Sequence, residues 1–199
     1  MGGAIVGILL AAGSGSRFGS DKLLHALPDG TPLAVAAALH LLPACDRVIA
    51  VLRPGNEPLM RLIGNSGCET LLCATAVAGM GHSLAAGVSA AKDADGWLVA
   101  LADMPFITTA SHQRVVAGLR AGATLAACSF NGMRGHPVGF GGRWFGPLVT
   151  LTGDQGAKAL LQAHREELLL CPVDDPGVVW DVDRPKDLLR TGSPTTGAG

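Results

Sequence analysis

Ala4 to Leu10 form a continuous apolar run that opens directly into a loop with three glycines and two cations, Gly13-Ser-Gly-Ser-Arg-Phe-Gly-Ser-Asp-Lys22. An uninterrupted run of this length predicts a strand buried on both faces, as in a parallel sheet covered by helices. Gly13, Gly15 and Gly19 remove side chains where the backbone must bend sharply and approach a ligand closely. Arg17 and Lys22 add a forked and a point-like positive charge. Backbone N–H groups with two such cations suit a polyphosphate, because each anionic oxygen needs a donor. The expected ligand is a nucleoside triphosphate.

Two familiar phosphate loops fail on spacing. A dinucleotide fingerprint starting at Gly13 needs glycine at its sixth position, where Phe18 stands, and no Asp or Glu lies near residue 39 to hold a ribose. A Walker loop needs Gly-Lys-Ser/Thr, yet Lys22 follows Asp21 and precedes Leu23.

The 199 residues suffice for one well-cored domain, and 48% apolar against 16% charged residues excludes a disordered chain. A net charge of −1 offers no basic footprint for nucleic acid. Cys45, Cys68, Cys73, Cys128 and Cys171 are odd in number and lack C-x-x-C spacing, which predicts free thiols in a reducing cytosol. The N-terminal apolar run lacks a positive n-region, Val6 replaces the Ser or Thr of a myristoylation signal, and no stretch reads as a membrane span. The expected location is cytoplasmic.

Strands are expected at 4–10, 47–52, 69–73, 96–101, 124–128 and 138–140. Helices are expected at 31–42 (opened by Thr31 with Pro32 at the first position), 57–65, 82–91, 108–120, 154–164 (capped by Asp154) and 185–190. This alternation predicts a single-domain, Rossmann-like three-layer α/β/α fold with a mostly parallel sheet. The domain spans residues 1–190, and 191–199, rich in Thr, Gly and Pro, read as a flexible tail. In such sheets ligands bind beyond the carboxyl ends of the strands, where the remaining motifs fall.

Ala100-Leu-Ala-Asp-Met-Pro105 ends a strand with an acid. Alone, Asp103 reads as a turn residue before Pro105. Opposite a triphosphate loop it reads as a ligand for Mg²⁺, which takes one or two carboxylates plus phosphate oxygens. In Trp180-Asp-Val-Asp-Arg-Pro185, extended backbone points Asp181 and Asp183 to the same side, so both can face one metal. Asp183 also suits the N-cap of a helix beginning at Pro185, and Asp187 reads as a solvated helix residue.

The loop from Leu10 to Lys22, Leu-Ala-Ala-Gly-x-Gly-x-Arg-x-Gly-x-x-Lys, resembles the signature of the sugar-nucleotide-type nucleotidyltransferases. That family includes the cytidylyl- and guanylyltransferases of molybdenum cofactor maturation. Ala102-Asp-Met-Pro105 resembles its Gly-Asp-Met-Pro element, differing at Ala102, and the Asp181–Asp187 segment its Asp-Ile-Asp-Thr-Pro-Glu-Asp. Gly79-Met-Gly-His-Ser83 resembles the segment beside the nucleotide base, so Ser83 either bonds the base or satisfies the first turn of its helix. Gly135-His-Pro137 and Gly153-Asp-Gln-Gly-Ala157 resemble elements near the acceptor. His136 is either substrate-facing or packed, and Asp154 either orients the acceptor or merely starts a helix.

The resemblance runs from Ile5 to Leu189 and implies a nucleotide-diphospho-sugar transferase-type fold. It also implies a nucleotide site made by Leu10, Ala11, Ala12, Gly13, Gly15, Arg17, Lys22, Ser83 and Asp103. Arg17, Lys22 and Asp103 would be catalytic, Asp103, Asp181 and Asp183 would hold Mg²⁺, and His136 and Asp154 would meet the acceptor. Ala11-Ala12-Gly13 resembles the cytidylyl form rather than the Ala-Gly-Gly of the guanylyl enzymes, and a methyl at position 12 narrows the space for a purine's second ring. The implied reaction is transfer of CMP from CTP to the terminal phosphate of a molybdopterin-type acceptor; the alternatives are a GTP-dependent cofactor guanylyltransferase, a sugar-phosphate nucleotidyltransferase, or a non-catalytic nucleotide-binding regulator. A molybdoenzyme or its maturation chaperone is the implied protein partner, with no nucleic acid and no membrane.

Overall fold

The computed structural model describes residues 3–13, 21–184 and 187–188. Gly15 and Arg17 in the glycine loop, most of the expected 185–190 helix and the 191–199 tail lie outside them.

Among the described residues, seven strands form one sheet. These are β1 (Ile5–Leu10), β2 (Arg47–Leu52), β3 (Glu69–Leu72), β4 (Gly96–Leu101), β5 (Leu125–Phe130), β6 (Met133–Gly141) and β7 (Leu168–Pro172). Their spatial order is β3-β2-β1-β4-β6-β5-β7, and only β6 runs antiparallel to its neighbours. The helices are α1 (Leu33–Leu41), α2 (Glu57–Asn65), α3 (Met80–Ala90), α4 (Thr109–Arg120), α5 (Phe145–Val149) and α6 (Lys158–Ala163). None is long and apolar enough to cross a membrane.

Strand alternation assigns each apolar residue to a layer. Ile5 and Leu9 of β1 pack with Leu41 of α1, Ile63 of α2 and Val115 of α4. Val6, Ile8 and Leu10 pack on the other face with Leu84 and Val88 of α3, Leu148 of α5 and Leu161 of α6. This is the expected three-layer fold, with β1 and β4 at its centre. Gly87 lets α3 lie close on that sheet: a Cβ there would come within 2.7 Å of Ile8 Cγ2 and 2.9 Å of Val51 Cγ2.

Five local expectations are corrected. Helix α1 begins at Leu33, with Pro32 as its extended N-cap, because Leu27 N–H bonds Thr31 O and Leu33 N–H bonds His25 O. Those bonds close a tight turn that takes Thr31 and Pro32 out of the helix. Asp154 does not cap α6. Gly153 and Gly156 take positive φ (71° and 51°), so 153–156 form a turn and the helix starts from Ala157. Strand β6 extends back to Met133; its pairing with β5 shifts register between Ala127 and Ser129, opposite the stretch that contains Pro137, which has no N–H for a ladder. Edge strand β7 was not expected, since Leu169 and Leu170 are both exposed and show no alternation. Asp187 is no free surface acid: its carboxylate accepts from the N–H groups of Asp183 and Arg184 at 3.1 and 2.8 Å.

Candidate active site

Three neighbouring strands deliver their carboxyl ends to one edge. Leu10 pairs with Leu101 on one side and Val51 on the other. Beyond the strands, Ala102 N–H bonds Leu10 O at 3.1 Å, and Ala11 N–H bonds Val51 O at 2.9 Å. Ala12, Gly13, Asp103 and Arg53 therefore emerge side by side. They line a cleft of about 440 Å³ together with Leu10, Lys22, Val77, Gly79, Met80, Ser83 and Asp154.

The far end of the glycine loop is pinned. Asp21 Oδ1 accepts from Leu23 N–H at 3.2 Å, capping a short 3₁₀ turn over Lys22–Leu24, and Asp21 Oδ2 accepts from Asn56 Nδ2. Asn56 in turn caps α2 by accepting from Leu59 N–H. Lys22 thus leaves a fixed turn and reaches across the cleft, with Nζ 2.9 Å from Asp103 Oδ2 and 3.4 Å from Asp183 Oδ1. Burial works against its charge, but the two carboxylates prevail and hold its pKa above the usual value.

The segment carrying Asp181 and Asp183 lies along the turn after β4. Val182 N–H bonds Asp103 O at 2.9 Å, and the Val182 side chain is fully buried, packed with Leu33 and Leu188. The alternation expected of an extended segment is what the structure shows. One carboxylate oxygen from each of Asp103, Asp181 and Asp183 lies within 4.8 Å of the others. Burial raises the pKa of Asp181, and the neighbouring Asp183 and Asp103 charges raise it further. An all-oxygen donor set around concentrated negative charge fits a hard divalent cation such as Mg²⁺ or Mn²⁺.

Ser83 is buried in the first turns of α3, on the cleft wall. That helix start has no side-chain cap; Gly81 N–H bonds Gly153 O at 2.8 Å instead. Gly79 (φ 127°) leaves no room for a side chain, because a Cβ would lie 2.3 Å from the Gly153 carbonyl. The 153–156 turn therefore seats against α3 and brings Asp154 into the same cleft as Lys22 and Asp103. Ala11 points the other way: its methyl is buried in the core between the sheet and α1, leaving only its backbone at the edge.

His136 is in neither group. It lines a second, smaller cavity of about 210 Å³, walled by Leu84, Val99, Phe140 and Leu161, with Arg134 and Lys158 among its lining residues. Burial pushes its pKa down to about 4 against the opposing pull of Asp103, so it is neutral at pH 7. Its Nδ1 is buried without a hydrogen-bond partner. The two cavities share Leu10, Met80 and Leu101.

Sequence reasoning missed Arg53, Asp21 and Asn56. Arg53 follows β2 as an ordinary polar loop residue, and only the strand order places it beside Ala12. The Asp21–Asn56 contact joins two short-range caps across 35 residues, and no local spacing announces it.

Similar proteins align with nearly the whole chain. The purine catabolism protein PucB of Bacillus subtilis is 29% identical, covering 94% of this chain and 96% of its own. The crystal structure of the Rv0371c homologue from Mycobacterium sp. strain JC1 is 30% identical over 92% of each chain, with a TM-score of 0.77. That of Rv0371c of Mycobacterium tuberculosis, solved as a complex with manganese, is 26% identical over 92% of this chain and 95% of its own, with a TM-score of 0.75. The fold is that of the nucleotide-diphospho-sugar transferases. A family profile matches residues 7–168, from inside β1 to the start of β7, and on that match the chain belongs to the MobA-like NTP transferase domain family.

Proposed function

We propose that this nucleotidyltransferase moves CMP from CTP to the terminal phosphate of a molybdopterin-type acceptor and releases pyrophosphate. The observation that carries the reading is the cleft itself. Lys22 and Asp103 line a cavity together with Ala12 and Ser83, and the Asp181 and Asp183 carboxylates converge on Asp103.

The roles follow from position. Lys22, with Arg17 from the glycine loop, neutralises the phosphates. Backbone N–H groups of the loop after Leu10 cradle them. Asp103 with Asp183 and Asp181 would hold Mg²⁺, whose chemistry when bound is to offset negative charge on the transferred and departing phosphates. Lys22 now bridges Asp103 and Asp183, so it is placed to follow charge as pyrophosphate leaves. Ser83 faces the base, and Ala12 narrows its seat against a purine. The acceptor phosphate attacks the α-phosphate in line; it is already an oxyanion at neutral pH, so no general base is required. Positioning and charge neutralisation supply the rate enhancement. The smaller cavity at His136 receives the body of the acceptor, while Asp154 stands on the nucleotide side. The reaction is placed in the cytoplasm, in keeping with five free cysteines, and the product passes to a molybdoenzyme or its chaperone.

The test offers purified protein each of the four NTPs with Mg²⁺ and molybdopterin, following pyrophosphate and the dinucleotide product. Turnover with CTP well above GTP supports the reading. Preference for GTP reassigns the base, and turnover only with a sugar phosphate reassigns the acceptor. CTP binding without pyrophosphate release from any acceptor makes the protein a nucleotide-binding regulator.

A further inference from the structure

Between β7 and Asp181 the chain makes a knot that the reaction scheme does not use. Asp175 is buried, with 7% of its surface exposed, and no cation pairs with it among the described hydrogen bonds and ion pairs. Four donors converge on its carboxylate instead. Oδ2 accepts from Thr108 N–H and Thr108 Oγ1 at 2.9 Å and from Ser111 Oγ at 2.6 Å; Oδ1 accepts from Gly177 N–H at 2.9 Å. A buried charge is tolerated only when its lone pairs are satisfied, and here they are.

The location gives the knot its meaning. Thr108 stands five residues after Asp103, and Asp175 stands six before Asp181. The two segments that carry the acids therefore run side by side, fastened at intervals. Asp175 ties one end to Thr108 and Ser111. Gly177 lies so close to Phe106 O that a Cβ would fall 2.4 Å from it. The Phe106 and Trp180 rings meet at 4.9 Å. Val182 N–H on Asp103 O closes the other end. Besides the knot, the Phe106–Trp180 contact, the buried Val182 side chain, the Lys22 bridge from Asp103 to Asp183 and the Val182 backbone bond hold the segment; of these, only the knot clamps its upstream end through a buried carboxylate.

The geometry points to Asp175 as the positioning residue that holds Asp181 and Asp183 against Asp103, and so sets the affinity of the site for a divalent cation. This rests on the reading of those three acids as the metal site. Asp175 touches neither substrate nor metal; it acts through the segment it anchors. Groups that hydrogen-bond metal ligands directly cost about tenfold to a hundredfold in metal affinity when removed, and an anchor one step further out belongs at the low end of that range.

The experiment titrates Mn²⁺ into the full chain and reads free Mn²⁺ by electron paramagnetic resonance, with no nucleotide present. Wild type, Asp103→Asn, Asp175→Asn, Ser111→Ala and Thr108→Ser are compared, each checked for a cooperative melt. Asp175→Asn should weaken Mn²⁺ by about tenfold or more. Ser111→Ala, which removes the shortest of the four bonds, should weaken it less. Thr108→Ser keeps the hydroxyl and should match wild type. A merely destabilised protein would bind Mn²⁺ with unchanged affinity while it stays folded, so wild-type affinity in folded Asp175→Asn overturns the proposal. If Asp175→Asn does not fold, wild-type affinity in Ser111→Ala overturns it instead. If Asp103→Asn binds Mn²⁺ as wild type does, the metal reading itself is wrong, and this inference falls with it.

Discussion

The two cavities that share Leu10, Met80 and Leu101 are built from different materials. The larger, about 440 Å³, sets Lys22, Arg53, Asp103 and Asp154 into its walls. The smaller, about 210 Å³, is walled mainly by Leu84, Val99, Phe140 and Leu161, and its cations Arg134 and Lys158 are exposed. A charged cleft orients phosphates through directed bonds, whereas an apolar cavity holds a body by shape and area. On the proposed reading, charge handling and shape recognition are separated across one shared wall, and substitutions on the two sides should have separable consequences.

The sharpest break would come at Asp103. Asp103→Asn should lower turnover by about a hundredfold or more, since a metal-bound carboxylate stabilises charge in the transition state. The fold should survive, because the Val182 bond uses the Asp103 backbone. Pyrophosphate release at saturating Mg²⁺, beside circular dichroism, measures both. Near-normal turnover in a folded variant would deny the larger cavity its chemical role.

Lys22 tests the same cavity more finely. Lys22→Ala should lower kcat by about tenfold to a hundredfold while weakening CTP binding much less, as expected of a contact that tightens in the transition state. Steady-state kinetics beside calorimetric CTP titration separate the two quantities. Lost CTP affinity with kcat retained would make Lys22 an anchor only.

On the other side of the wall, Arg134→Glu combined with Lys158→Glu should raise the KM for an anionic acceptor by about tenfold to thirtyfold, because reversing two exposed charges shifts attraction by roughly 1 kcal/mol each. The Kd for CTP should not move. A change in CTP affinity with acceptor KM intact would invert the assignment of the two cavities.

What could be read from the sequence followed from how each residue is buried. Strands β2 and β4 and helix α2 match their expected bounds. The strands are apolar runs buried on nearly all positions, and the helix opens on Asn56 with Glu57 and Pro58 behind it. Strand β7 escaped because an edge strand with exposed Leu169 and Leu170 carries no period. The shared direction of Asp181 and Asp183 was legible through alternation, and their meeting with Asp103 was implied by the family resemblance. The lock that holds them together was not: Asp175 meets Thr108 and Ser111 across more than sixty residues, and such a contact depends on β7 lying beside β5. His136 shows the same limit. The sequence leaves it either substrate-facing or packed, and only the fold shows that it lines the apolar cavity rather than the charged one.

The smallest effect is expected at Ala12, where the two kinds of recognition meet in one methyl group. Ala12 is half-buried on the wall of the charged cleft, two residues past the Leu10 that both cavities share. If its methyl narrows the base seat, wild type should use CTP in preference to GTP, and Ala12→Gly should relax that preference. One methyl in a binding pocket is worth roughly 1–3 kcal/mol. Because Ala12 is only half-buried, part of any clash can be relieved toward solvent, which puts the expected shift near the low end, about fivefold to tenfold in relative kcat/KM. Paired measurements with CTP and GTP at fixed acceptor give the ratio directly. An unchanged ratio would move base selection away from the strand end and toward Ser83 on α3. A wild type that uses both nucleotides equally would remove base discrimination from the charged cleft altogether, leaving it a device for phosphates alone.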